Sequence, residues 1–196
     1  MSENEQTDVC ADGAPRPGKL KKTIVMVGMM GAGKTAVGRA LAARLGVPFL
    51  DSDQEIELAA NMTIPEIFSR DGEAFFRDKE TQVIARLLKE EQGVLSTGGG
   101  AFLAERNRKL ISDQGIAVCL QADLDVLWNR VKHKDTRPLL RTADPRATLS
   151  GLYEARVPIY GLADLSVQSD GVSSIEEMVD KVLEALKARP DVLDWK

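Results

Sequence analysis

Cysteine and histidine are scarce in this chain: its 196 residues hold two of the first and one of the second. Cys10 lies in a polar N-terminal stretch and Cys119 in the apolar run Ile116-Ala117-Val118-Cys119-Leu120. Thiols so placed read as unpaired, which suits a reducing compartment. A chain of this length buries a core without disulfide or metal staples. Long apolar runs are missing too, and none approaches the length that spans a bilayer. The opening residues Ser2, Glu3, Asn4 and Glu5 are polar and acidic, unlike a secretory signal, so the expected location is cytoplasmic. Positive charge is in deficit: 26 Lys and Arg stand against 30 Asp and Glu, a net charge of -4. That balance argues against non-specific nucleic-acid binding, which needs a basic surface. It leaves room for a local basic pocket around a small anion.

Hydrophobic residues make up 43% and charged ones 29%, the balance of a globular domain. The length fits one domain plus a tail. Residues 1–20 are polar and contain Gly13, Pro15, Pro17 and Gly18, and read as a disordered tail; the domain is expected over 21–190, with a short C-terminal tail over 191–196. From Lys22 onward, short apolar runs alternate with helical patterns. Thr23 to Val27 reads as a buried strand. Residues 34–45 read as a helix stopped by Gly46, 48–50 as a strand ending at Asp51, and 54–60 and 73–91 as helices. A third strand is expected over 93–96 and a fourth over 116–120. Helices follow over 124–131 and 145–156, and Leu165-Ser166-Val167 is a candidate fifth strand. Ser173 and Glu176 read as a capping box ahead of Ile175, Met178, Val179, Val182, Leu183 and Leu186 at helical spacing. Such alternation implies a parallel sheet with helices on both faces.

Gly28-Met29-Met30-Gly31-Ala32-Gly33-Lys34-Thr35 matches G-x4-G-K-[ST] between an expected strand and an expected helix, the setting a phosphate-binding loop requires. Its glycines let backbone N–H groups turn toward phosphate oxygens, and the helix behind them points its positive end the same way. Lys34 can reach the β- and γ-phosphates, and the Thr35 hydroxyl can hold Mg²⁺. A chance match in a chain this long is on the order of one per cent.

A phosphate loop does not say what receives the phosphate. Ligands of open α/β sheets sit at the strand ends. Asp51 and Asp53 follow the second strand, and carboxylates at i and i+2 can share one side of an extended chain. One can bind Mg²⁺ through water while the other takes a proton from an acceptor hydroxyl. Ser52 and Glu55 also read as a capping box, and capping and chemistry can coexist. Arg77 and Glu80, three apart on a helix, suit either an oriented carboxylate-binding fork or an ordinary surface ion pair. Gly98-Gly99-Gly100 offers bare backbone to a ligand, or is a flexible turn. Lys132-His133-Lys134-Asp135-Thr136-Arg137-Pro138 is either a lid that brings arginine to a phosphoryl group or a solvated loop, with His133 as a bystander. Arg156, at a helix end, is a second anion clamp or a cation at a helix C-terminus.

Taken in order, GMMGAGKT, LDSDQEIE, DGEAFFRDKE, VLSTGGGA, TRPLL and ARVPIY resemble the shikimate kinase family, from about Lys22 to about Leu186. The resemblance implies an α/β, three-layer P-loop kinase fold of the nucleoside-monophosphate-kinase type. Its five-stranded parallel sheet would run 2-3-1-4-5, with a mobile lid over about 132–144. It implies Mg²⁺-dependent transfer of phosphate from ATP to the 3-hydroxyl of shikimate, a step toward chorismate and the aromatic amino acids, by a cytoplasmic monomer with no nucleic-acid or membrane partner. By position, Asp53, Lys34 and Arg137 resemble the catalytic residues. Asp53, Arg77, Gly98, Gly99, Gly100 and Arg156 resemble the shikimate contacts, with Glu80 orienting Arg77. Gly31, Ala32, Gly33, Lys34, Thr35, Ala36 and Arg137 resemble the ATP contacts, with Arg130 placed against adenine, and Thr35 and Asp51 the Mg²⁺ positions. Ala36 departs from a frequent second hydroxyl residue, Ile159 replaces a common leucine, and the segment near Gln168 matches poorly. The competing readings are another small-metabolite kinase of this fold, such as a gluconate kinase, and a non-catalytic nucleotide switch; the N-K-x-D motif of GTPases is absent.

Overall fold

A computed structural model describes residues 17–134 and 137–195. Residues 1–16 of the expected tail, and Asp135 and Thr136 within the expected lid, lie outside the described residues. The first strand of the sheet (β2, Thr23–Val27) is buried at every position, as a central parallel strand must be. Around it runs a five-stranded parallel sheet in the order β3-β4-β2-β5-β6. The others are β3 (Phe49–Asp51), β4 (Val94–Ser96), β5 (Gly115–Gln121) and β6 (Leu165–Gln168). Counted along the chain, that is the expected 2-3-1-4-5.

The helices are α1 (Lys34–Leu45), α2 (Ser52–Ala60), α3 (Ile64–Glu90), α4 (Glu105–Gln114), α5 (Leu124–Val131), α6 (Pro145–Tyr160) and α7 (Ile175–Leu186). The β2-α1-β3 crossover runs toward one edge of the sheet and the β4-α4-β5 crossover runs back past β2. Right-handed connections therefore put α1 and α4 on opposite faces. Helix α7 packs against α1 and α3 packs against α4, which completes three layers. Ile24, Met26, Leu95, Ile116 and Leu120 from the sheet, and Leu41, Ile84, Ile111 and Leu186 from the helices, are wholly or almost wholly buried.

Several local readings need correction. Gly18–Leu20 is a strand (β1) that pairs antiparallel with Leu193–Trp195 (β7), so both assumed tails contribute to a small second sheet. The pairing is held further by Lys22 Nζ on Asp191 at 3.0 Å and the Lys21 amide on Val192 O at 2.7 Å. The helix expected over 73–91 is the second half of α3, which breaks at Gly72 (φ 84°, ψ 172°) after a first half opened by a Thr63–Glu66 capping box. The cap of α2 is Asp51, not Ser52: its Oδ1 accepts from the amides of Asp53 (2.9 Å) and Gln54 (3.2 Å). The box that opens α7 is Ser174–Glu177, one residue beyond the expected pair. Helix α6 continues past Arg156 to Tyr160 with Pro158 inside it, and α4 went unread because its sequence is mostly polar.

Register is what positions the site. Met26 pairs with Ser96 across β2 and β4, and Ser96 pairs with Asp51 across β4 and β3. Three chain segments thus leave the sheet side by side at one level.

Ile84 is completely buried on α3. Ile84→Ala is expected to lower the unfolding free energy by about 3 kcal/mol, measured by urea denaturation.

Candidate active site

The segment after β2 turns through Gly31 (φ 81°) and Gly33 (φ 97°), left-handed conformations open to glycine, before α1 begins. Gly33 caps α1 and has no side chain to offer, so the first amides of the helix stay available to an anion. Lys34 folds over the loop, its Nζ donating to Gly28 O at 2.8 Å and Met29 O at 2.9 Å. Burial lowers its pKa to about 8, with Arg137 pushing the same way and Asp53 opposing. Arg130, from α5, donates through Nη1 to Gly31 O (3.0 Å) and Ala32 O (3.3 Å), and through Nη2 to Ser169 Oγ (3.1 Å). It thereby ties the phosphate loop to the end of β6.

Asp53 sits in the first turn of α2, whose N-terminus is fixed by Asp51. Its carboxyl lies against the loop after β4: a Cβ added at Gly98 would fall 2.9 Å from Asp53 Oδ1. Gly100 is packed closer still beneath the Arg77 guanidinium, where a Cβ would meet Nη2 and lie 2.7 Å from Nη1. One built at Gly99 would lie 3.6 Å from Arg156 Nη1. The glycine run is therefore a floor that lets one carboxylate and two guanidiniums close in on the main chain. Arg77 Nη1 donates to Glu80 Oε1 at 2.8 Å, and the Glu80 side chain is 1% exposed. This is a buried orienting contact rather than a surface pair. Desolvation raises the Glu80 pKa, and Arg77 counters it. Desolvation also raises Asp53, to about 6, with Asp51 and Glu80 adding to the shift and Lys34 opposing it.

Two cavities meet here. One of about 510 Å³ is lined by Gly31, Ala32, Gly33, Lys34, Thr35 and Ala36, together with Asp51, Arg130 and Arg137. The second, about 580 Å³, is lined by Arg77, Glu80, Gly100 and Arg156 on its polar side and by Ile64, Phe68 and Phe76 on its apolar side. Asp53, Gly98, Gly99, Met30 and Arg137 belong to both. Every residue named from the sequence as a catalytic, substrate, ATP or Mg²⁺ contact lies on one cavity or on the boundary between them. His133 is exposed and lines neither. Among the described residues, Arg137 Nε is buried without a hydrogen-bond partner.

Sequence reasoning missed the far wall of the first cavity, formed by Ser169, Ser173, Ile175 and Met178. Asp170 fixes that wall by accepting from the amides of Val172 (3.0 Å) and Ser173 (2.8 Å), from Ser173 Oγ (2.8 Å) and from Lys181 Nζ (3.0 Å). No motif marks these residues; only the poor match near Gln168 hinted that the segment is particular to this chain. Met30 and the apolar wall of the second cavity were missed as well. They sit inside motifs and helices whose spacing says only that they are buried.

The chain matches the family model "Shikimate kinase" over residues 30–187. It is 75% identical over 175 residues to a shikimate kinase of Ruegeria pomeroyi, covering 89% of this chain and 90% of that one. It is 66% identical over 183 residues to one of Cereibacter sphaeroides, covering 93% and 92%. Among solved structures it resembles the shikimate kinase of Acinetobacter baumannii in complex with shikimate, with a TM-score of 0.79 and 38% identity over 85% of this chain and 93% of that one. On sequence, fold and strand order alike, the chain belongs to the shikimate kinase family.

Proposed function

We propose that this chain transfers the γ-phosphoryl group of ATP to the 3-hydroxyl of shikimate, giving shikimate 3-phosphate and ADP. The observation that carries this is the shared boundary of the two cavities. Asp53, Gly98, Gly99 and Arg137 face both the phosphate loop and the Arg77–Arg156 pocket. A triphosphate in the first cavity would end where a small hydroxylated carboxylate in the second begins. Shikimate carries one carboxylate and three hydroxyls, and guanidinium forks suit the first while an aspartate suits the others.

In the transfer, the acceptor oxygen forms a bond to the γ-phosphorus as the bond to the β-γ bridging oxygen breaks. The hydroxyl proton passes to Asp53 Oδ. With its pKa near 6, Asp53 is mostly ionised at neutral pH yet basic enough to accept that proton. Lys34 and Arg137 balance the charge that spreads over the phosphoryl oxygens, and most of the rate gain comes from positioning and charge stabilisation. The donors near the phosphate loop fit Mg²⁺, which takes oxygen ligands and shares them with phosphate. Thr35 Oγ1 lies 3.4 Å from Ser96 Oγ, and Asp51 has a carboxylate oxygen beyond the one that caps α2. The ion, held by Thr35 and through water by Asp51, would neutralise phosphate charge.

The segment over about 132–144 acts as a lid on a single domain that takes in the β1–β7 pair on either side of the expected 21–190, since it carries Arg137 to the boundary and Lys134 to the first cavity. The proposed working unit is a monomer. Cys119, buried and free among the described residues, is in keeping with the cytoplasmic location proposed. No helix among the described residues is long and apolar enough to cross a membrane.

ADP release in a coupled assay is expected to depend on shikimate and not on gluconate or nucleoside monophosphates. Turnover with gluconate alone would instead favour a gluconate kinase, and slow hydrolysis indifferent to any acceptor a nucleotide switch. Arg77→Lys keeps the charge beside buried Glu80 but loses the fork, and is expected to raise KM for shikimate about tenfold with KM for ATP unchanged. Asp53→Asn is expected to cut kcat about a hundredfold or more while making the fold more stable. Burial disfavours the ionised Asp53, so its cost to stability is absent below pH 3.8 and complete above about pH 6. The thermal-unfolding advantage of the variant should therefore be seen at pH 8 and vanish toward pH 4.

A further inference from the structure

We propose that Tyr160 is a positioning residue of the acceptor site: from behind the glycine loop, its hydroxyl holds the Gly99 carbonyl and aligns the Arg156 guanidinium. The proposal rests on reading the second cavity as the shikimate pocket. Tyr160 closes α6 and is 3% exposed. It lines neither of the two main cavities. Its ring instead walls a smaller one of about 190 Å³, beside Met29, Cys119 and Val157. It thus stands outside the reacting space and acts through what it touches.

Its hydroxyl donates to Gly99 O, 61 residues away in sequence. Arg156 lies one turn earlier on the same helix, and residues four apart share a face; a Cβ at Gly99 would lie 3.6 Å from Arg156 Nη1 and 3.9 Å from the Tyr160 oxygen, so guanidinium and phenol flank the same glycine. Arginine can only donate. The phenol oxygen can therefore accept from Arg156 while its proton goes to Gly99, an arrangement that needs the neutral phenol. Burial pushes the Tyr160 pKa up, which keeps that proton in place. The ring lies nearly parallel to Phe102, with centroids 6.5 Å apart and an interplanar angle of 17°. Phe102 belongs to the short turn that follows the glycine loop. Hydroxyl and ring together hold the middle of that loop and the turn that follows it.

The local sequence of α6 makes this grip necessary. Pro158 has no N–H and cannot bond the carbonyl of Glu154, so the turn that carries Tyr160 has one backbone hydrogen bond fewer. Removing the hydroxyl would leave a carbonyl without its partner and a guanidinium without its rest. Gly99 and Arg156 both line the acceptor cavity, and small misplacements of binding groups are costly.

The test is steady-state kinetics in both substrates for the parent, Tyr160→Phe, Tyr153→Phe, Arg156→Ala and the Tyr160→Phe/Arg156→Ala double variant, with thermal unfolding alongside. Tyr160→Phe keeps the aromatic ring, so the variant should remain folded. Expected for it is a rise in KM for shikimate of about fivefold to tenfold, with KM for ATP unchanged. Tyr153, on the wall of the same small cavity, should tolerate Phe with no kinetic effect. In the double variant the hydroxyl deletion should add little once Arg156 is gone, because the two act as one unit. An unchanged KM for shikimate in Tyr160→Phe, equal rises in both KM values, or effects of the two sites that simply multiply would each overturn the proposal. A parent that releases no ADP in response to shikimate would overturn the functional reading itself, and the proposal with it; a normal parent isolates the failure to Tyr160.

Discussion

The pairing of Met26 with Ser96 and of Ser96 with Asp51 constrains everything at this site. In a parallel sheet all strands end at the same edge, but they end at the same level only if the register says so. Here it makes the phosphate loop, the glycine run and the first turn of α2 depart together. Thr97 reinforces the alignment, donating from Oγ1 to Met26 O at 3.0 Å. A shift of β4 by two residues would keep every hydrophobic residue facing its own layer, yet it would carry Gly98 away from Asp53 and separate the two cavities. The core alone is tolerant of such a slip; the chemistry is not.

What the register assembles is electrostatically costly. Lys34 feels Arg137 and Arg156, and Asp53 feels Asp51 and Glu80, all in a partly desolvated space. Like charges are held together because the fold around them is rigid: fully buried Ile24, Leu95 and Ile116 lie directly beneath in the sheet. Perturbed titration of this kind clusters where chemistry is done. An anionic donor beside the cations and an anionic, hydroxylated acceptor between the guanidiniums would relieve much of the strain. Against the protein's overall negative charge, the local concentration of Lys34, Arg77, Arg137 and Arg156 stands out as a place for an anion.

The sequence made some of this legible and hid the rest for identifiable reasons. The phosphate loop could be read because its chemistry is local: glycines, lysine and threonine act within eight consecutive positions. The strand order and the acceptor residues came through the family resemblance, since nothing in the spacing of Asp53, Arg77, Gly99 and Arg156 says that they meet. The β1–β7 pair was hidden because two three-residue strands at opposite ends of the chain leave no local period. The cap of α7 was placed one residue early because Ser173 and Ser174 are followed by Glu176 and Glu177, so the spacing rule is met twice and only the backbone chooses. The cap of α2 went to Ser52 for a similar reason, although Asp51 was already recognised as important. The Asp170 network and the Tyr160 grip depend on which groups tertiary packing brings together. No short motif records that.

The central claim is spatial, that donor and acceptor share the boundary marked by Asp53, and a crystal structure with shikimate and a non-hydrolysable ATP analogue tests it most directly. The expected result has the carboxylate of shikimate between Arg77 and Arg156 and a hydroxyl within about 3 Å of an Asp53 oxygen, facing the terminal phosphate. Shikimate bound elsewhere, or with Asp53 and the terminal phosphate on opposite sides of it, would contradict the account.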